Sequence, residues 1–281
     1  MNLRMLPKPL GVALALAFDA CALEYPYSTP EPQKTGWPLS GEETDYVVKK
    51  AEYERRPGFD EHKHLPALWP VVPTAGHFGG DAWLRLHAAH VRTVQSNQGA
   101  IDVLLVGDSI TIQWSGHWKH HFPNLKTVNI GIGGDKTQNV LWRLDHGGVD
   151  GISPRHIVLM IGNNNMFYTP ETGVGAAASG IRMCALNLRE KFPNARLTVL
   201  KILPAHAPGN RFREHIQQTN AALDSLSLAE DPRIRVVDLT LDFTSSDGAL
   251  LPELYAADAI HLSPAGYAVL AGRLGPLLEL P

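Results

Sequence analysis

Four short stretches of this chain hold residues that could do chemistry together: "GDS" at Gly107–Ser109, "GIGGDKTQ" at Gly131–Gln138, "GNNN" at Gly162–Asn165 and "DAIH" at Asp258–His261. Acyl transfer needs a nucleophile, a base for its proton, a group that orients the base, and donors for the developing oxyanion. The Ser109 hydroxyl is inert until a base takes its proton, and His261 is the base on offer. Asp258, three residues earlier, can hold one ring nitrogen in a tight turn. It leaves the other nitrogen facing Ser109 and stabilises the imidazolium that forms. The backbone N–H groups of Ser109 and Gly134 and the side-chain amide of Asn164 would serve the oxyanion. Gly134 has no Cβ to block a substrate. Asp108, Asn165 and His206, the last in "LPAHAPGN", are candidates for the surrounding pocket.

Each stretch alone has a plainer reading. A Ser after a strand commonly caps the next helix. Asp135 with Gln138 could be a capping pair, and asparagines are ordinary turn formers. "GIGGDK" opens a helix as dinucleotide loops do, but Lys136 stands where the third glycine belongs and no Gly-Lys-Ser/Thr ending follows. "HWKHH" spaces His117 and His121 as metal ligands on a helix can be spaced, without the Glu or third ligand such a site needs. Conjunction is what points to acyl transfer: four signals, each after its own strand. That chemistry requires no metal and no organic cofactor.

The elements that must position these loops become regular from residue 101. Continuous apolar runs, "DVLLVG", "TVNI", "HIVLMIG", "RLTVLKIL" and "IRVVDL", read as strands covered on both faces. Helical stretches alternate with them: "TIQWSGHWKHHF", "TQNVLWRLDHG", "GAAASGIRMCALNLREKF" and "RFREHIQQTNAALDSL". A last helix opens with Ser263 as N-cap and Pro264 at its first position. The alternation predicts an α/β fold, a three-layer αβα sandwich around a parallel sheet. Ligands bind beyond the carboxyl ends of such strands, where all four loops would gather.

Before residue 101 the pattern differs. Residues 1–22 read as a signal peptide: Arg4 and Lys8, the apolar run "PLGVALALAF", and a small-x-small site at Ala20–Ala22. That run is too short to span a bilayer, so a secreted or periplasmic protein is expected. Residues 23–100 read as an extended arm with Trp37 and Trp69 as anchors. It would hold a short helix in "GEETDYVVKKAEYERRPG" and a better one in "DAWLRLHAAHVRTVQ". A net charge of −3 and mixed acids and bases exclude a nucleic-acid footprint or polybasic membrane patch. With Cys21 and Cys184 alone, no disulfide framework or cysteine zinc site can be drawn. Nothing predicts an oligomer.

The four blocks, "GDSI" around Ser109, Gly134 in "GIGGD", Asn164 in "GNNN" and "DAIH" ending in His261, resemble those of the SGNH (GDSL-type) hydrolase superfamily. The likeness runs from about 101 to 275. "NIGIGGDKTQNVLWRL" is most similar to the branch of the platelet-activating factor acetylhydrolase catalytic subunits. The resemblance implies a flavodoxin-like sheet of five parallel strands, a Ser109–His261–Asp258 triad and an oxyanion hole of Ser109, Gly134 and Asn164. One departure concerns the third block, where Asn165 replaces the usual Asp. The expected activity is that of a serine esterase releasing short acyl groups, acetyl first, through an acyl-enzyme. An exported enzyme would take them from a carbohydrate or other small-molecule ester. A lysophospholipid or thioester donor, or a non-catalytic carbohydrate-binding module on the same fold, are the alternatives.

Overall fold

The computed structural model describes residues 81–168, 173–226 and 228–278. The stretch read as a signal peptide and the predicted arm as far as residue 80, with Trp37 and Trp69, lie outside them, as do residues 169–172. The order of elements is α1 (Asp81–Gln95), β1 (Gly99–Gly107), α2 (Ser109–Gln113), α3 (Ser115–His121), β2 (Thr127–Asn129), α4 (Thr137–Asp145) and β3 (Ile152–Met160). There follow α5 (Asn165–Tyr168), α6 (Gly173–Lys191), β4 (Arg196–Leu200), α7 (Arg211–Asp224), β5 (Ile234–Val237) and α8 (Pro264–Leu278). All five strands pair in parallel, in the order β2-β1-β3-β4-β5. This is the three-layer α/β sandwich expected.

Successive strand residues point to opposite faces, and both faces here are buried. Leu104 and Val106 of β1 and Ile157 and Leu159 of β3 enter one core, with α4 and α6. Val103, Leu105, Val158 and Met160 enter the other, with Trp114, Trp118 and α8. That is why the strands read as unbroken apolar runs. The stretch expected as one helix after Ser109 is two, α2 and α3, meeting at Trp114. Trp114 is 1% exposed in the second core. At the start of α8 the Ser263 hydroxyl accepts the Gly266 N–H at 3.2 Å, as a cap should.

Sheet order places the site. The chain leaves β1 outward to β2, then returns past β1 to β3. The loops after β1 and β3 therefore diverge and leave a crevice. Gly107 ends β1 directly against Met160, the end of β3. A Cβ on Gly107 would stand 2.0 Å from Thr111 Oγ1 and 2.2 Å from the Met160 carbonyl. Only glycine lets α2 turn back so tightly over the strand end.

Candidate active site

The turn after β1 separates capping from chemistry. Asp108 is the N-cap of α2: its Oδ1 accepts the Ile110 N–H at 3.0 Å. Ser109, the first helical residue, is thus relieved of that duty. Its Oγ donates to His261 Nε2 at 2.9 Å, across 152 residues of sequence. On the other side of the ring, Nδ1–H donates to Asp258 Oδ2 at 2.5 Å.

The turn carrying Asp258 and His261 is built from backbone. Asp258 Oδ1 accepts the N–H groups of Ile260 at 3.0 Å and His261 at 2.9 Å. Ala259 between them takes φ 58°, in the left-handed region. An antiparallel bridge between Tyr255 and Leu262, and the Ala256 N–H on the His261 carbonyl at 2.8 Å, close the loop. Tyr267 on α8 donates its hydroxyl to the Ile110 carbonyl at 2.8 Å, tying α8 to the helix that starts at Ser109. Partial burial raises the Asp258 carboxyl, but the His261 ring and the two N–H groups outweigh it and hold it at about 2. The carboxylate is therefore ionised wherever the imidazole can act as a base.

The loop after β2 lies against Ser109. A Cβ on Gly133 would sit 3.8 Å from the Ser109 Cβ. Gly134 has φ 79°, a conformation that only glycine adopts without strain. Asn164 Nδ2 donates to the Asp135 carbonyl at 3.0 Å and, over a longer 3.4 Å, to Asp108 Oδ2. The amide is thereby fixed between the loops that follow β1 and β2. Its long bond to Asp108 is the weaker of the two. Asn165 faces inward: its Oδ1 accepts the Thr137 N–H at 3.2 Å and its Nδ2 donates to Thr137 Oγ1 at 3.2 Å. It braces the start of α4 beneath the site.

His206, with φ 59°, packs its ring edge-on against Phe212 at 5.2 Å, while its N–H donates to the Ala259 carbonyl at 3.1 Å. His117, weighed above as a metal ligand, stacks on Tyr267 with ring centroids 4.9 Å apart. Among the described residues no three His, Cys, Asp or Glu side chains cluster as a metal site would require.

Beneath the loops lies a buried polar network that the sequence did not disclose. The Asp135 carboxylate pairs outside its own turn. Its Oδ1 accepts the Trp83 indole N–H at 2.6 Å and its Oδ2 accepts Arg143 Nε at 2.8 Å. The cap suggested for Asp135 and Gln138 is made otherwise, by Asn139 Oδ1 accepting the Lys136 N–H at 2.9 Å. Arg143 Nη1 also donates to the Ile130 carbonyl at 2.6 Å, just past β2. Burial lifts the Asp135 carboxyl to about 6 against the pull of Arg143 and Trp83. Asp108 rises further, to about 7, through burial and the charge of Asp135, against the Ile110 N–H and His261. The one signal available for Arg143 was a cation inside the apolar run "NVLWRL".

Comparison with known proteins identifies the family. A model of the GDSL-like lipase/acylhydrolase family matches residues 105–269. Subunit alpha1 of platelet-activating factor acetylhydrolase IB from Homo sapiens is 34% identical over 216 residues, 76% of this chain and 89% of that protein. The rat alpha2 subunit is 33% identical over 203 residues, 71% and 85% of the two chains. A Streptococcus pneumonia structure described as a platelet activating factor superposes with TM-score 0.59 at 25% identity, over 70% of this chain and 92% of that one. An acetylxylan esterase from Geobacillus stearothermophilus shares the fold, with TM-score 0.52 at 18% identity, over 66% and 96%.

Proposed function

Because this chain belongs to the GDSL-like lipase/acylhydrolase family, and is thus an ester hydrolase, we propose that it removes acetyl groups from carbohydrate esters through an acyl-enzyme on Ser109. One observation carries the proposal: the continuous line from Ser109 Oγ to His261 Nε2 at 2.9 Å, and from His261 Nδ1 to Asp258 at 2.5 Å.

Ser109 Oγ attacks the ester carbonyl carbon while His261 Nε2 takes its proton, and Asp258 stabilises the imidazolium. The carbonyl π pair moves to oxygen. The oxyanion is met by the Ser109 and Gly134 N–H groups and by Asn164 Nδ2 as it exchanges Asp108 for the substrate. As the carbonyl re-forms, the bond to the alcohol oxygen breaks and that oxygen takes the Nε2 proton. Water then attacks the acetyl-serine, again giving its proton to Nε2. Acetate leaves and Ser109 recovers its hydrogen.

The acetyl half of the proposal is supported by the relatives' name, acetylhydrolase. The carbohydrate half is supported by the export signal read at residues 1–22, which would bring the enzyme to extracellular or periplasmic esters. A second reading, acetyl removal from platelet-activating factor itself, is favoured by the same relatives.

The test is a panel of acetylated xylose and glucose derivatives, platelet-activating factor, and p-nitrophenyl esters of two to ten carbons. The sugar acetates should be preferred, and activity should fall with chain length. Ser109→Ala should lower turnover by roughly 10⁴–10⁶-fold with the fold unchanged. Preference for long chains, or a Ser109→Ala protein that keeps most of its activity, would overturn the proposal.

A further inference from the structure

We infer that Arg213 is a positioning residue for the Asp258–His261 turn, acting through the backbone of His206. The inference rests on the triad assigned above. Arg213 lies in the first turn of α7 and is 3% exposed. Its Nη1 donates to the His206 carbonyl at 3.0 Å and its Nη2 to the Gly248 carbonyl at 2.8 Å. Among the described residues it forms no ion pair, and its buried Nε meets no acceptor. A buried cation without a counter-ion is costly, so packing alone is a poor reason to keep one here. What it holds gives a better reason.

The carbonyl it grips belongs to His206, whose N–H donates to the Ala259 carbonyl at 3.1 Å. His206 and Ala259, at φ 59° and 58°, are the only non-glycine residues with positive φ among those described. Residues with a Cβ avoid that region. Here the two such residues are bonded to each other, so each supports the other's conformation. Ala259 separates Asp258 from His261, and the direction of its peptide sets where the carboxylate stands relative to the ring. Arg213 is the fixed end of this chain of contacts. Its second bond, to Gly248, stops the guanidinium from turning away. Tyr255, donating its hydroxyl to the Pro204 carbonyl at 2.7 Å, steadies the same loop from the other side. The His206 ring is engaged with Phe212, so the link runs through main chain.

Arg213→Lys tests this, because an ammonium keeps the charge but cannot span both carbonyls in one plane. Two readouts are needed: kcat and KM on p-nitrophenyl acetate, and the far-downfield proton resonance of the His261–Asp258 hydrogen bond. The expected result is a kcat lowered roughly 10–100-fold, as sub-ångström misplacement of a catalytic group produces, with KM within about twofold and the resonance broadened or lost. Arg213→Gln removes the unpaired buried charge and should give the same result if the lysine variant does not fold. Arg189→Lys is the control. Arg189 is equally buried, tied to Asp231 and to the Phe192 and Ala195 carbonyls at the other end of the sheet. That variant should melt earlier with kcat and the resonance intact.

Wild-type kcat and resonance in both Arg213 variants would overturn the inference, as would an equal loss in Arg189→Lys. His261→Ala separates the two levels. If it stays active, the triad reading itself falls. If it is inactive while the Arg213 variants are normal, only the role of Arg213 falls.

Discussion

Around Ser109 the supports are charged and dry; around His261 the turn is open and held by main-chain groups, with the buried Arg213 behind it on the His206 carbonyl. Asp108, Asp135 and Arg143 are each 1% exposed and Trp83 is 2%. The Asp258 and His261 side chains are 48% and 28% exposed. In the proposed mechanism the buried half carries the nucleophile and the oxyanion donors, which must stand still while charge develops beside them. Low dielectric strengthens their hydrogen bonds and makes any broken one expensive. In the same mechanism the open half carries the group that accepts and returns protons. Water access keeps its ionised partner affordable, and the geometry then has to come from backbone bonds to the carboxylate. Stability and activity should therefore separate when each half is broken.

Among changes to the supporting groups, the largest effect is expected in the open half, and chiefly on activity. In Asp258→Asn the amide oxygen can still accept the two backbone N–H groups. Its NH₂ would face His261 Nδ1 and force the wrong tautomer. Turnover should fall by roughly 10⁴-fold, with thermal unfolding shifted by only a few degrees. The sign of the pH effect is fixed by the lowered carboxyl. Its contribution to stability is present above the unfolded value near 3.9 and is lost as pH falls through about 2. Below pH 4, acid unfolding of wild type and variant should converge.

A smaller effect, and on stability first, is expected where the buried half is cut. Arg143→Met leaves Asp135 without its cation in a dry site. The cost should be about 3–5 kcal/mol in urea unfolding. A variant losing less than about 1 kcal/mol would show that the pair is not what holds the oxyanion loop.

The smallest change sharpens the contrast within that half. Burial raises Asp108 to about 7, so its protonated form favours the fold. That contribution is complete below the unfolded value near 3.9 and fades as pH rises through 7. Asp108→Asn removes the titration. The stability of the variant relative to wild type should climb between pH 5 and pH 8, by up to about 2 kcal/mol. Parallel pH curves for the two proteins would contradict it.

The candidate reacting groups of both halves were legible in the sequence. "DAIH" shows carboxylate and base within one turn, and "GDS" ends an unmistakable apolar strand. Asn164 and Gly134 could be placed because each follows its own strand, and parallel topology brings strand ends together. The buried supports were illegible for a physical reason. Trp83 and Asp135 lie 52 residues apart, and their bond follows from packing alone. Helix α4 is buried from Thr137 through Leu144, so no polar face marks Arg143 as pointing inward. Arg213, within "RFREH", looks like one charge of a solvated helix. A buried arginine and an exposed one have the same local sequence, and only the fold distinguishes them.

Trp83 stands 22 residues upstream of the first position matched by the family model, residue 105, yet its indole bonds to Asp135 in the loop after β2, which holds the oxyanion donor proposed at Gly134. The catalytic unit is thus longer than the segment that identifies it. A hydrolase cut at that boundary would keep the proposed reacting groups but lose most of β1 and all of α1, whose Trp83 braces the loop after β2 from beneath. Fusion partners or tags are better joined upstream of Asp81, with that helix left attached.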